Sequence, residues 1–241
     1  MAKVWINGET SIEVEHAEGV DVVHLTVDDK EVAVSGGQTI LEALERMSGI
    51  GDIPALCHHP AVKPYGACRI CTVEVSEDEG SKFKFVAACL YPAKEGLIVK
   101  TQTDKIKKLR KLRKGIIELL LARCPNVQRI QELADEYGVE KPRFVLGDQD
   151  CILCGLCVRA CQEIIGKSAI SLVNRGIYRE VAAPFYAYEL SGDCIGCGDC
   201  AFVCPTGAIE MGDDGRPALP KVKIPFAEIE AMMKKEAVTP S

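Results

Sequence analysis

Cysteine spacing constrains this chain more than any other feature. Twelve of its thirteen cysteines fall into three groups of four. The first is Cys57, Cys68, Cys71 and Cys89. The second is Cys151, Cys154, Cys157 and Cys161. The third is Cys194, Cys197, Cys200 and Cys204, followed by Pro205. The last two groups share the run C-x2-C-x2-C-x3-C, and two such runs in one chain are hard to reach by accident. Four cysteines inside eleven residues force the backbone to turn sharply and bring sulfurs together. A soft metal group that prefers thiolates accounts for such a run; ordinary packing does not.

Three chemistries compete for these cysteines. Disulfides belong to oxidising compartments, and the opening MAKVWINGETSIEVE lacks the basic and apolar regions of a secretory signal. Zinc also takes C-x2-C pairs, usually two pairs split by a spacer; it remains open here, more so at the first group. Iron–sulfur clusters use the C-x2-C-x2-C-x3-C run, and the fourth cysteine of each run ligates the other run's cluster. That rule assigns one [4Fe–4S] cluster to Cys151, Cys154, Cys157 and Cys204. A second [4Fe–4S] cluster falls to Cys194, Cys197, Cys200 and Cys161. Pro205 matches the usual C-P ending, and Gln162 replaces it in the earlier run without removing a ligand. Gly155, Gly196 and Gly198 are expected to let the backbone wrap tightly. Ile152, Ile195, Ala208 and Ile209 are expected to form an apolar shell against water.

The first group is spaced C-x10-C-x2-C-x17-C. One ligand loop plus a distant fourth cysteine is the plant-type [2Fe–2S] arrangement, although plant-type chains begin C-x4-C-x2-C. Gly66 precedes Cys68 and fits a backbone that offers N–H groups to sulfur. His58 and His59 follow Cys57; they read as loop residues beside the site, or as groups that tune it. Cys124 is left over, either a buried thiol at a helix end or a redox or metal-binding group.

The flanking sequence fits two small modules. Val22 to Val34 alternates polar and apolar residues around Asp28-Asp29, a hairpin signature. Thr39 is a candidate N-cap, with Ile40, Leu41, Leu44 and Met47 on one helical face. KFKFVAA reads as a strand before Cys89. Residues 103–123 read as a helix whose apolar face is Ile106, Leu109, Leu112, Ile116 and Leu120. Seven of the ten residues 105–114 are Lys or Arg, which describes a solvated face or a docking surface for an acidic partner. VQRIQELADEYGV is a second helix ending at Gly138. AISLVNRGIYREVAAPFYAYEL suggests short strands between the two runs, and FAEIEAMMKKEA a short helix in the tail. The expected fold class is α+β, with a β-grasp start. The expected layout is an extension over 1–20, a [2Fe–2S] domain over 21–101 and a helical linker over 102–145. A bacterial-ferredoxin-like dicluster domain over 146–212 and a tail over 213–241 complete it. Modules this small bury little apolar surface, so the clusters are expected to act as cross-links.

Net charge is −6, from 29 basic and 35 acidic residues, which argues against nucleic acid as a partner. No run approaches the roughly 20 apolar residues that span a bilayer, so a cytoplasmic chain without direct membrane insertion is expected. No G-x-G-x-x-G follows a strand, and neither a P-loop nor a catalytic Ser/His/Asp or H-E-x-x-H set stands out. The chain alone is expected to turn nothing over.

Taken in order, the motifs resemble a known assembly. IPALCHHPAVKPYGACRICTVEV with AACLYPAKEGLIVKT is similar to the [2Fe–2S] domain that begins the large peripheral iron–sulfur subunit of respiratory complex I. The same region occurs in the small diaphorase subunit of NAD-linked bidirectional hydrogenases and in multimeric [FeFe]-hydrogenases. CILCGLCVRACQEI and CIGCGDCAFVCPTGAIE resemble their dicluster domain. The resemblance implies that Cys57, Cys68, Cys71 and Cys89 hold one [2Fe–2S] cluster. It also implies an electron-transfer subunit between a flavin- and NAD(P)-binding diaphorase subunit and a second catalytic or ferredoxin-linked subunit. FMN and NAD(P) would sit on the partner only. Members often carry a further site, H-x3-C-x2-C-x5-C; here LLLARCPNVQRIQELADEYGV offers Cys124 and no His. Three clusters, about ten iron atoms, are therefore expected. The alternative is a free-standing ferredoxin-like carrier.

Overall fold

The structure is a computed structural model that describes residues 2–6, 10–14, 21–45, 47, 53–78, 80–101, 106–187 and 193–221. Two compact units divide the chain: Met1–His58 with Pro64–Arg113, and His59–Lys63 with Lys114–Ser241. Both mix strands with helices. The expected tail helix, FAEIEAMMKKEA, lies outside the described residues.

In the first unit, β1 (Ala2–Ile6) and β2 (Thr10–Val14) pair antiparallel within the motif-free extension. The alternating stretch after it forms the expected hairpin, β3 (Val22–Val27) against β4 (Lys30–Ser35). Asp28 and Asp29 both adopt left-handed backbone, with φ of 47° and 68°, the two-residue turn whose twist suits a hairpin. The Asp28 carboxylate accepts the Thr101 N–H at 2.8 Å and the Thr101 hydroxyl. Strands β5 (Thr72–Ser76), β6 (Lys84–Ala87) and β7 (Ile98–Lys100) complete a five-stranded sheet in the order β4-β3-β7-β5-β6. The central β7 runs parallel to β3 and antiparallel to β5.

Helix α1 (Ile40–Glu45) starts at a reciprocal cap. The Thr39 hydroxyl accepts the Glu42 N–H at 3.3 Å, and the Glu42 carboxylate accepts the Thr39 N–H at 2.8 Å. The helix buries Ile40, Leu41, Ala43 and Leu44 against Leu25, Val32, Val73, Val75 and Val99. Each fully buried Leu, Ile or Val contributes roughly 1.5–3 kcal/mol. Cys71, Ala88 and Cys89 belong to the same core, so this packing also positions two of the candidate ligands.

Helix α2 (Lys107–Arg123) contains the limit between the units, which falls after Arg113. Its buried stripe is Leu109, Arg113, Ile117 and Leu121, spaced four apart. The stripe is rotated from the one the sequence suggests, because an arginine occupies a core position that periodicity gives to an apolar residue. Leu112, Ile116 and Leu120 are half-buried, while Lys107, Lys108, Lys111 and Lys114 are exposed. Helix α3 (Gln128–Tyr137) buries Ile130, Leu133, Ala134 and Tyr137 and stops at Gly138, whose φ is 67°. A left-handed glycine is a common helix terminator.

The second unit then continues through α4 (Leu156–Arg159), a π-type turn over Ala160–Ile164, and the antiparallel pair β8 (Ser171–Val173) and β9 (Glu180–Ala182). Helix α5 (Asp199–Phe202) and the pair β10 (Glu210–Met211) and β11 (Pro217–Ala218) follow. The segment His59–Lys63 is tied into this unit through Lys63. Its N–H donates to the Glu163 carboxylate at 2.7 Å, and its carbonyl accepts from Arg159.

Glu118 on α2 receives a forked contact from Arg143, with Nε and the terminal nitrogen each at 2.8 Å, and the Arg143 N–H at 2.9 Å. These bonds hold the Glu118 carboxyl from its ordinary 4.5 down to about 2. A carboxylate lowered in the folded state stabilises the fold above its ordinary value and loses that contribution as pH falls toward the folded value. Glu118→Gln is therefore expected to lower the melting temperature at pH 7. The gap from wild type should close as pH falls from about 4.5 toward about 2; differential scanning calorimetry across that range is the check.

Candidate metal centres

In the first unit, Cys57 and Cys68 lie in the loop before β5, Cys71 immediately precedes β5, and Cys89 follows β6. All four are buried. Their thiols lie within hydrogen-bonding reach of one another. Hydrogen bonds from the Cys68 and Cys89 thiols push Cys57 far below the ordinary thiol range, and one from Cys89 lowers Cys71. The donors, Cys68 and Cys89, are pushed up by the same contacts. Backbone N–H groups also aim at the sulfurs. Ala67 and Cys68 donate to Cys57, Ile70 to Cys68, and Cys89 to Cys71; the Cys68 contact is 3.4 Å, and the Ala88 N–H bonds the Cys71 carbonyl at 3.1 Å. N–H groups directed at thiolate sulfur stabilise negative charge there.

Gly66 shapes this loop. Its φ is 68°, and a Cβ would sit 2.3 Å from Leu90 Cδ1. The His58 side chain is buried, with Nε2 3.2 Å from a Glu45 carboxylate oxygen. His59 instead turns Nδ1 to the Ala61 N–H at 3.2 Å.

In the second unit the runs repeat one backbone path. Leu153 and Gly196 occupy equivalent positions between the first two cysteines, with φ of 56° and 69°. Gly155 and Gly198 then take φ of 71° and 82° before α4 and α5. Leu153 accepts a left-handed conformation that costs a residue with a Cβ roughly 1–2 kcal/mol. Its N–H donates to Cys151 Sγ at 3.3 Å, the interaction that the turn provides.

The sulfurs group across the two runs. Burial pushes the Cys157 thiol up, and the nearby charges of Cys154, Cys151 and Cys204 push it further. Cys151 is likewise raised by burial and feels Cys204. Cys161 lines one cavity with Cys194, Cys197 and Cys200, where burial first, then Cys197 and Cys194, brings Cys200 to about 11. Among the described residues, no three His, Cys, Asp or Glu side chains are arranged to hold a single metal ion. A donor set of four soft sulfurs ringed by N–H groups fits a polynuclear iron–sulfur group.

The expected apolar shell is only partly realised. Ile209 is buried, but Ile195 is 63% exposed at the cavity rim. Val158, Ile170 and Val181 pack around Cys157 and Cys200 instead. Ile170 and Val181 come from the segment between the runs, where adjacency to a cysteine carries no signal. Cys124 is fully buried and burial pushes its thiol up to about 12, so it stays a neutral thiol. Arg113 stands behind the first site, although nothing in the sequence sets it apart from the other cations of α2.

Residues 20–104 match the family described as 2Fe-2S iron-sulfur cluster binding domain, and residues 190–210 match the 4Fe-4S binding domain. The chain is 30% identical over 215 residues to an NADH-quinone oxidoreductase subunit of Rhizobium meliloti, covering 78% of this chain and 24% of that one. It is 33% identical over 213 residues to NADPH-Fe(3+) oxidoreductase subunit alpha of Geobacter sulfurreducens, with 78% and 24% covered. It is 31% identical over 217 residues to the mitochondrial NADH dehydrogenase [ubiquinone] iron-sulfur protein 1 of Solanum tuberosum, with 78% and 27% covered. The chain thus spans about a quarter of the length of the curated relatives it matches. Among solved structures, it aligns with a chain of an NAD+-reducing [NiFe]-hydrogenase in the H2-reduced state. That match has a TM-score of 0.62 and 29% identity, and covers 77% of this chain and 85% of that one.

Gly196 gives a test of the later run. A Cβ there would lie 2.6 Å from the Gly215 carbonyl oxygen, a backbone atom with little room to move. Gly196→Ala is expected to destabilise the second unit by about 1–3 kcal/mol. Iron should be shed from that unit first, read by iron content and thermal melting side by side with wild type.

Proposed function

We propose that this relative of the complex I and hydrogenase iron–sulfur subunits is an electron-transfer subunit of a cytoplasmic, multi-subunit oxidoreductase. The observation that carries the reading is the crossing of the two C-terminal runs. Cys204 falls within the field of the earlier cysteines, and Cys161 shares a cavity with the later ones. Crossed ligation holds two clusters close together.

In this reading Cys57, Cys68, Cys71 and Cys89 hold one [2Fe–2S] cluster. Cys151, Cys154, Cys157 and Cys204 hold one [4Fe–4S] cluster, and Cys194, Cys197, Cys200 and Cys161 hold the other. Such clusters supply reversible one-electron transfer. The chain's own residues supply four thiolates per site, N–H donors to the sulfurs and a packed surround that limits water. The first module, residues 21–101, is a β-grasp domain; the mixed sheet with α1 packed on it supports this. Residues 102–145 are a helical linker without the His/Cys3 site. Residues 146–212 are the dicluster domain, and residues 213–241 a tail.

The partners are a flavin- and NAD(P)-binding diaphorase subunit and a second redox subunit, a hydrogenase, a dehydrogenase or a ferredoxin-linked protein. What supports this is the nature of the relatives, NADH- and NADPH-linked oxidoreductase subunits and an NAD+-reducing hydrogenase. The chain acts as the iron–sulfur subunit of an NAD(P)-linked complex and is expected to turn nothing over without its partners. No described helix is long and apolar enough to cross a membrane, in keeping with attachment only through partners.

Two measurements test the proposal. Anaerobic native purification should bring down a flavin-bearing partner with about ten irons per chain; a chain running alone without flavin would favour a free carrier. Cys161→Ser should damage the cluster of Cys194, Cys197 and Cys200 more than that of its own run. EPR showing the opposite would overturn the crossed assignment.

A further inference from the structure

Arg113 belongs to the basic stretch of α2, yet it is only 1% exposed. Its guanidinium reaches one atom twice: Nε lies 3.0 Å and a terminal nitrogen 2.8 Å from the Thr72 carbonyl oxygen. Thr72 is the residue directly after Cys71 and the first of β5. Its other polar groups are also committed. The Thr72 N–H donates to the Arg69 carbonyl at 3.1 Å, and its hydroxyl donates to the same oxygen at 2.7 Å. Arg69 itself is left-handed, with φ of 63°. The described pairing of β5 with β7 runs from Ser76 to Glu74 and stops short of Thr72. The Thr72 carbonyl therefore points where no described strand residue donates to it, and Arg113 fills that role.

We infer that Arg113 is a positioning residue for the first metal centre. It clamps the end of the loop from Cys68 to Cys71 through the Thr72 carbonyl, and its cation favours the more negative, reduced state of the group those cysteines hold. The inference rests on the reading that Cys57, Cys68, Cys71 and Cys89 bind a [2Fe–2S] cluster. Two physical arguments carry it. A buried carbonyl left without a donor is costly, so the peptide that follows Cys71 moves when its donor is removed. A guanidinium stays charged at any working pH, and a fixed buried cation stabilises the added electron through a medium that screens it weakly. One two-pronged contact thus joins loop geometry to redox potential. Bidentate geometry further distinguishes arginine from lysine, which offers a point charge.

The test uses the full chain with its clusters, prepared anaerobically as wild type, Arg113→Met and Arg113→Lys. The [2Fe–2S] midpoint potential and EPR g-values are read by redox titration, with the [4Fe–4S] signals of the same samples as internal reference. Arg113→Met is expected to shift the [2Fe–2S] potential downward and alter its g-values, leaving the [4Fe–4S] potentials in place. Arg113→Lys, which keeps the charge but not the fork, should restore part of the potential shift while its g-values stay altered. If Arg113→Met does not load, Arg113→Lys still decides: altered g-values support the clamp, and a wild-type spectrum overturns it. A loaded Arg113→Met with a lower melting temperature but wild-type potential and g-values would reduce Arg113 to a structural residue. A wild-type chain with no [2Fe–2S] signal would overturn the cluster reading itself, and this inference with it.

Discussion

Gathering several buried cysteine sulfurs is the constraint around which the rest of the chain is arranged. A thiolate loses hydration on burial, and neighbouring thiolates repel it; Cys157 and Cys200 show both effects. Only cations and directed dipoles offset such costs. The fold supplies the dipoles: N–H groups of Ala67, Cys68, Ile70 and Leu153 aim at sulfur. Such aim needs unusual backbone, and left-handed residues recur around the cysteines, at Gly66, Arg69, Leu153, Gly155, Gly196 and Gly198. Leu153 is informative because no glycine relieves the turn there. The cost of its conformation is set against the Cys151 contact that the turn makes.

The two units meet this constraint differently. In the first, a sheet and one helix build a core without depending on the loop, and Cys71 and Cys89 extend from strand ends into it. In the second, the described strands are two or three residues long. The apolar group around Cys157 and Cys200 is small, with Val158, Ile170, Val181 and Ile209 as its other buried members. Such a core contributes only a few side chains' worth of burial, roughly 1.5–3 kcal/mol each. The segment that carries the two cysteine runs therefore relies more heavily on whatever its cysteines bind, as small metal-stapled domains do, while α3 and the end of α2 add buried side chains of their own to the same unit.

Local chemistry made much of this legible beforehand. Asp28-Asp29 marked a hairpin, and Thr39 a helix start, because turns and caps depend on a few neighbouring residues. Gly138 ended α3 for the same reason. Sequence pattern failed where long-range packing decided the outcome. Arg113 looked like one cation in a basic run, yet its fate was set by a carbonyl 41 residues earlier. Ile195 looked like shell because it adjoins Cys194, while Ile170 and Val181 form the shell instead.

Cysteine number and spacing by themselves marked the two C-x2-C-x2-C-x3-C runs as places where sulfurs are expected to gather, since such a run has few backbone solutions. They also determined, with the hydrophobic period of the segments between them, the α+β character, because that period is a local property. Only the tertiary structure decided which face of α2 is buried. It also decided that a charged side chain bonds the Thr72 carbonyl, one residue after Cys71. Those outcomes depend on the approach of residues far apart in sequence, where burial, hydrogen-bond partners and charge are settled by neighbours that spacing does not name.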